Sequence, residues 1–366
     1  MTFFFCRPFP ARRGAAISGE NFEIVAAGLN FVRPLWGRVI PGQFSIEPLG
    51  PLAHPLAQRN SFGSPPTRNH HDPQLAMASG NPVIGLLGGG QLGRMLCEAA
   101  GPLGIEVAVL DAAACPTKQM NTSRHHVTGS FKDAARIRDL ARNSDFLSVE
   151  IEHVDADTLA DIADNGVEVN GVVKRVGVHP APRSLALIRD KFAQKAHFEA
   201  AGIPVAKQMA LDENNLEWSL ADAGKEFGFP FMVKSRMNSY DGRGNFVVED
   251  SGAFGNVTES LGREGLYAEK MVPFTKELAV MVIRAQDEGP ERTYAYPAVE
   301  TVHQDSICTT VYMPPRGVPK DVCAAARTLA SQVVGTLWGR GVFAVEMFLT
   351  AKGTCMLYYL RTWPFY

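Results

Sequence analysis

The chain of 366 residues contains no run of about 20 uninterrupted apolar residues, because charges, glycine or proline break every apolar stretch. A helix that crosses a membrane is therefore not expected. Cysteine is sparse and scattered: Cys6, Cys97, Cys115, Cys308, Cys323 and Cys355 form no C-x-x-C pair and have no histidine at metal-ligand spacing. That excludes a zinc ribbon and a disulfide scaffold, and a reduced, cytoplasmic setting is expected. Surplus charge is also missing. With 36 Lys+Arg against 38 Asp+Glu the net charge is −2, so no polyanion-binding surface and no nucleic-acid partner are expected. Ser184 and Ser331 lack a nucleophile-elbow context, which removes acyl transfer. His70-His71 and His125-His126 read as solvated loop residues.

The length suffices for two or three domains. Residues 1 to about 80 are rich in Pro, Gly and Arg, show no sustained periodicity and read as a disordered extension. Arg12 and Arg13 give it some transit-peptide character, which Glu20 and Glu23 interrupt. From Pro82 the pattern changes to apolar runs separated by helical periods. Val83–Leu87 reads as a strand, Gly88-Gly89-Gly90 as a turn and the stretch from Gln91 as a helix. Glu106–Asp111 and Phe146–Ile151 are further strands, and Asp133–Arg142 is a helix with Ile137 and Leu140 on one face. This alternation predicts a parallel, doubly wound sheet over residues 81–182. Asn170–Gly177 reads as a loop or insertion. A mixed α+β region spans 183–366: a helix Asp190–Ala201, strands Phe231–Lys234, Phe246–Glu249, Glu277–Arg284 and Val342–Leu349, and a helix Asp321–Leu337.

Gly88-x-Gly90-x-x-Gly93 between a strand and a helix, with Asp111 closing the next strand, fits a dinucleotide fingerprint. Glycines there let backbone N–H groups approach a phosphate at the helix N-terminus. An NAD-dependent oxidoreductase and a purely structural turn both remain open on this motif. A second constellation argues for a triphosphate. Lys191 opens a helix, Lys234 ends a strand, and Ser239-Tyr240-Asp241-Gly242-Arg243-Gly244-Asn245 forms a glycine-containing loop that can lay N–H groups over phosphates while the ammonium groups balance charge. Glu269-Lys270-Met271-Val272 and Glu277 then place two carboxylates around a hinge-like turn, suited to the neighbourhood of an adenine and to ribose hydroxyls, or simply solvated.

Several separated segments together resemble one family: Gly-Gly-Gly-Gln-Leu-Gly-Arg-Met from Gly88, Val-Glu-Ile-Glu-His-Val from Val149, Tyr-Asp-Gly-Arg-Gly-Asn from Tyr240, Glu-Lys from Glu269 with Pro-Phe-Thr-Lys-Glu-Leu-Ala-Val from Pro273, and Val-Glu-Met-Phe from Val345. The chain is similar to 5-(carboxyamino)imidazole ribonucleotide synthases, which also form the N-terminal part of fungal bifunctional carboxylases. The resemblance implies a Rossmann-like pre-ATP-grasp domain followed by an α+β ATP-grasp domain. The implied activity belongs to purine biosynthesis: ATP and bicarbonate form carboxyphosphate, which carboxylates 5-aminoimidazole ribonucleotide. By matching motifs it assigns Lys191, Lys234, Ser239, Gly242, Gly244, Asn245, Glu269, Lys270, Met271, Val272, Glu277 and His303 to ATP. It assigns Tyr240, Asp241, Arg243 and Glu152 to the reacting groups, and Gly90 and Gln91 to the ribonucleotide. It further implies Mg²⁺ (or Mn²⁺) and a homodimer.

The family holds its metal on two carboxylates from adjacent strands. Glu346 supplies the first, but Tyr359 stands where the second is expected, and a neutral phenol is a poor ligand for a hard cation. Together with an end at Tyr366, before the remaining synthase segment and the mutase-like domain, this reads as a C-terminally incomplete chain. The alternative expectation is a catalytically inactive remnant that at most binds nucleotide.

Overall fold

The structure is a computed structural model that describes residues 81–237, 244–287, 292–304 and 306–362. The expected N-terminal extension and Ser239, Tyr240, Asp241, Gly242 and Arg243 lie outside the described residues.

The first lobe contains strands β1 (Val83–Leu87), β2 (Glu106–Asp111), β3 (Val127–Thr128), β4 (Phe146–Val149), β5 (Val167–Val169), β6 (Val172–Lys174) and β7 (Gly177–Val178). Its helices are α1 (Gln91–Ala100), α2 (Pro116–Met120), α3 (Ala134–Arg142) and α4 (Ala156–Asn165). The parallel sheet runs β3-β2-β1-β4-β7. Both faces of β1 and β2 are covered, which is why these strands read as unbroken apolar runs. Leu87, Ala108 and Leu110 join Ile137, Leu140, Leu159 and Ile162 on one side, while Leu86, Val107 and Val109 join Ala100 and Cys115 on the other. Asp133 and Asp155 start α3 and α4 by accepting from their first-turn amides.

Half of the segment Asn170–Gly177, expected as a loop or insertion, is strand: β6 pairs with the preceding β5 as an antiparallel hairpin, and Gly177 opens β7, which extends the main sheet. Asn170 and Gly171, at φ 52° and 79°, supply the two left-handed positions of a tight hairpin turn. His126 differs from expectation as well. Its Nδ1 accepts from Val109 N at 3.0 Å and its Nε2 meets Asn121 O at 2.8 Å, so it braces the end of β2.

Helix α5 (Pro182–Arg189) leads into α6 (Lys191–Ala200), whose N-cap Asp190 accepts from Phe192 N and Ala193 N. Strand β8 (Gln208–Ala210), α7 (Leu216–Phe227), β9 (Phe231–Ser235), β10 (Asn245–Val248), α8 (Phe254–Leu261) and β11 (Leu266–Lys270) follow. They build an antiparallel sheet of order β10-β9-β11-β8, backed by α7 and α8 around Leu220, Phe231, Val233 and Val257. The chain then forms β12 (Lys276–Arg284), β13 (Thr293–Ala295), β14 (Val299–Gln304), β15 (Ile307–Tyr312), α9 (Lys320–Gly335), β16 (Gly341–Leu349) and β17 (Cys355–Thr362). This sheet runs β15-β14-β12-β16-β17, with β13 also on β12. One face packs on α9 through Leu278, Val280, Val333, Val334, Val345 and Leu360. The other face carries the polar residues of the site. No helix among the described residues is long and apolar enough to cross a membrane.

Candidate functional site

Alternation along β12, β14 and β16 turns Glu277, His303 and Glu346 away from the core that α9 covers. His303 Nδ1 lies 2.5 Å from Glu277 Oε2, and this hydrogen bond holds the imidazole pKa above its ordinary value.

Strand β17 reaches the same face by an irregularity. Glu346 pairs with Tyr359, but Met347 pairs with Leu357, so Tyr358 is an extra residue opposite the step between them. The bulge inverts the strand's parity: Cys355 and Leu357 face the core before it and Leu360 faces the core after it. Tyr358, Tyr359 and Arg361 therefore crowd onto the site side. Two cations lie against the Tyr359 ring, Lys191 Nζ and the Arg361 guanidinium, each 5.2 Å from its centroid. Its hydroxyl donates to Glu152 Oε1 at 3.4 Å, which brings the residues after β4 to this sheet. Burial and the carboxylate of Glu152 keep the phenol well above its normal pKa, hence neutral.

The opposite wall comes from α6, β9 and β11. Lys191 and Lys195 lie one turn apart on α6, so they share a face. Lys234 on β9 and Glu269 on β11 are diagonal neighbours, since Met232 is opposite Glu269 and Tyr267 opposite Lys234. Glu269 is enclosed and grips both lysines, Lys234 Nζ at 2.9 Å from Oε1 and Lys195 Nζ on Oε2. Burial alone would raise the Glu269 pKa, but the two ammonium groups hold it at about 2. Lys195 is pushed down to about 8 by burial, with Glu269 opposing, and Lys191 also falls to about 8 by burial and then by the charge of Lys234. The triad Lys195–Glu269–Lys234 is thus a buried group with a surplus positive charge. Above it Phe274, Phe348 and Tyr358 stack at 4.3 Å intervals, and Lys234 Nζ lies 4.8 Å from the Tyr358 centroid.

These walls face one groove. Lys191 is in electrostatic reach of Lys234, Arg361, Glu152 and Glu346, and Tyr358 is in reach of Lys234, Glu346, Glu269 and Glu277. Gly244 O accepts from Ser235 N at 2.8 Å and Asn245 pairs with Lys234, which puts both beside the triad. Lys270 and Met271 are exposed at the end of β11, and Val272 follows them.

A ribonucleotide synthetase preATP-grasp domain model matches residues 82–189, and an ATP-grasp domain model matches residues 196–358. Phosphoribosylaminoimidazole carboxylase of Candida albicans is 46% identical over 75% of this chain and 46% of its own length. N5-carboxyaminoimidazole ribonucleotide synthase of Mycobacterium leprae is 33% identical over 77% of this chain and 63% of its own. A carboxyaminoimidazole ribonucleotide synthase from Aspergillus clavatus, solved in complex with ATP, is 41% identical, with a TM-score of 0.70 over 77% of this chain and 70% of that one. The chain belongs to the carboxyaminoimidazole ribonucleotide synthase family of ATP-grasp proteins. It spans about half the length of the fungal carboxylases it matches.

Within this synthase family frame, the glycine fingerprint has a use other than the one its spacing suggests. Glu150, just past β4, accepts from Gly90 N at 2.6 Å, Leu92 N at 3.0 Å and Gly93 N at 3.2 Å, while Asp111 accepts from Gly89 N at 2.7 Å. A protein carboxylate occupies the N-terminus of α1, so no phosphate seat exists there and the oxidoreductase reading falls. A Cβ on Gly90 would meet Glu150 Oε1 at 2.8 Å, which explains the glycine. The Gly90 amide is likewise committed to Glu150, whereas the Gln91 side chain is exposed. Ser184 is structural, exchanging hydrogen bonds with Trp338 at 2.7 and 2.9 Å.

The synthase metal site does not fit these residues. Glu346 Oε1 lies 3.4 Å from Arg361 Nε, its cross-strand neighbour is the neutral Tyr359, and no group of three metal-ligating side chains occurs among the described residues. Lys195, Glu150, Tyr358 and Arg361 were not singled out in the sequence.

Proposed function

We propose that this chain is an ATP-dependent carboxylase of 5-aminoimidazole ribonucleotide acting in purine biosynthesis. The observation that carries the reading is the cationic wall of Lys191 with the Lys195–Glu269–Lys234 triad beside a Glu277–His303 pair. A relative from Aspergillus clavatus was solved in complex with ADP and 5-aminoimidazole ribonucleotide, at 40% identity.

Lys191 and Lys234 neutralise the polyphosphate, aided by Gly244 and Asn245 and by Ser239 and Gly242. The stretch Glu269–Val272 lines the adenine side, with Glu269 acting through its lysines rather than by touching the base. Glu277, held by His303, accepts from ribose hydroxyls. A bicarbonate oxygen attacks the γ-phosphorus and ADP leaves. The exocyclic amine of the ribonucleotide then attacks the carboxyphosphate carbon, phosphate leaves, and the nitrogen loses a proton. Glu152, with Tyr240, Asp241 and Arg243, faces these reacting groups and shields carboxyphosphate from water. Gln91 contacts the ribonucleotide. The working form is a cytoplasmic homodimer.

A second reading, nucleotide binding without turnover, is favoured by Arg361 and Tyr359 beside Glu346. Phosphate release from ATP with bicarbonate, measured with and without 5-aminoimidazole ribonucleotide, separates the two. Ribonucleotide-dependent release is expected of a carboxylase, and its absence next to an active relative leaves binding alone.

A further inference from the structure

A divalent cation beside Glu346 would need a second anionic oxygen within about 2 to 2.6 Å of itself. What stands there is a guanidinium 3.4 Å from the carboxylate and the ring of Tyr359, itself flanked by Lys191 and Arg361. The pair Glu346–Arg361 is internally neutral, and a metal ion approaching it would meet a fixed positive charge. The same surroundings suit an anion. A guanidinium has five N–H donors in a planar fork, so it can keep a carboxylate and still address a phosphate oxygen. Lys191, 5.2 Å from the Tyr359 ring centroid, lies in electrostatic reach of the same carboxylate.

We propose that this groove takes a nucleoside triphosphate in its metal-free form, with Arg361 and Lys191 supplying the positive charge that a divalent cation would otherwise bring. The inference rests on the reading of the groove as a nucleotide site and adds what form of the nucleotide it selects. The bulge at Tyr358 is what makes it possible, because it sets Tyr359 and Arg361 on the site side of β17.

The test is calorimetric titration of the full chain with ATP, once in excess EDTA and once in excess Mg²⁺. ATP is expected to bind in EDTA at least as tightly as in Mg²⁺. Arg361→Met is expected to weaken the EDTA binding by about tenfold, the loss of one charge-assisted contact. Tyr359→Glu, which adds a carboxylate opposite Glu346, is expected to make binding tighter in Mg²⁺ than in EDTA. Wild-type binding that is about tenfold or more tighter in Mg²⁺ overturns the inference while leaving the nucleotide site standing. No binding in either condition removes the nucleotide reading and the inference together. The wild-type comparison alone decides, so it does not depend on the variants folding.

Discussion

The two ends of the groove neutralise a carboxylate in different ways. At one end Glu269 is 4% exposed and shared by two lysines, so the group is buried with a surplus positive charge. At the other end Glu346 faces the Arg361 guanidinium at the longer distance of 3.4 Å, in a less enclosed place, with Lys191 in electrostatic reach. The first arrangement is structural as much as functional, since removing its centre strands two ammonium groups without water. The second is a half-buried pairing with a longer contact. Charge count and enclosure, more than residue type, separate an element that holds the fold from one that selects a ligand.

Glu269→Ala breaks the first end and carries the largest expected effect, about 3–5 kcal/mol of lost stability in denaturant unfolding, because two buried cations lose their partner. Lys234→Met should cost less stability, since a neutral Lys195–Glu269 pair remains, but should weaken ATP binding about 10- to 100-fold in calorimetry. The pH dependence sharpens the contrast. Lys191 and Lys195 lose their protons near pH 8 in the free protein, so ATP affinity should fall as pH rises through about 8, by up to about tenfold per lysine for each pH unit. On the acid side, the depressed pKa of Glu269 adds stability that is fully present above the carboxylate's unfolded pKa of 4.5 and is lost as pH falls toward 2. Tyr359→Phe, at the second end, should change stability by only about 0.5–1 kcal/mol, as its hydrogen bond to Glu152 is long.

Much of the frame was legible because its strands are apolar runs of the right length and its helices carry aspartate caps. Glu106–Asp111 was read to the residue, and Asp133 and Asp190 marked helix starts that the structure places one residue later. The hairpin at Asn170-Gly171 was missed although its turn chemistry was present, because its strands are only three residues long and Val172 and Val173 on the second of them are exposed. Lys191, Lys234 and Glu277 were legible from their places on elements and His303 only through the family resemblance, and the four do converge. Lys195 was not, because a helical lysine is ordinarily solvated and nothing local reveals the carboxylate 74 residues away. The bulge at Tyr358 was beyond reach for a different reason: it follows from a register between two strands, which no single stretch encodes.

Glu150 has a wider consequence. By tethering its own anion to the N-terminus of α1, the chain sets that anion's effective concentration by covalent connection rather than by supply. Any free phosphate must compete with a ligand that never diffuses away. The glycines that admit it will look, in any search by spacing, like a cofactor fingerprint, while serving a seat that is already taken.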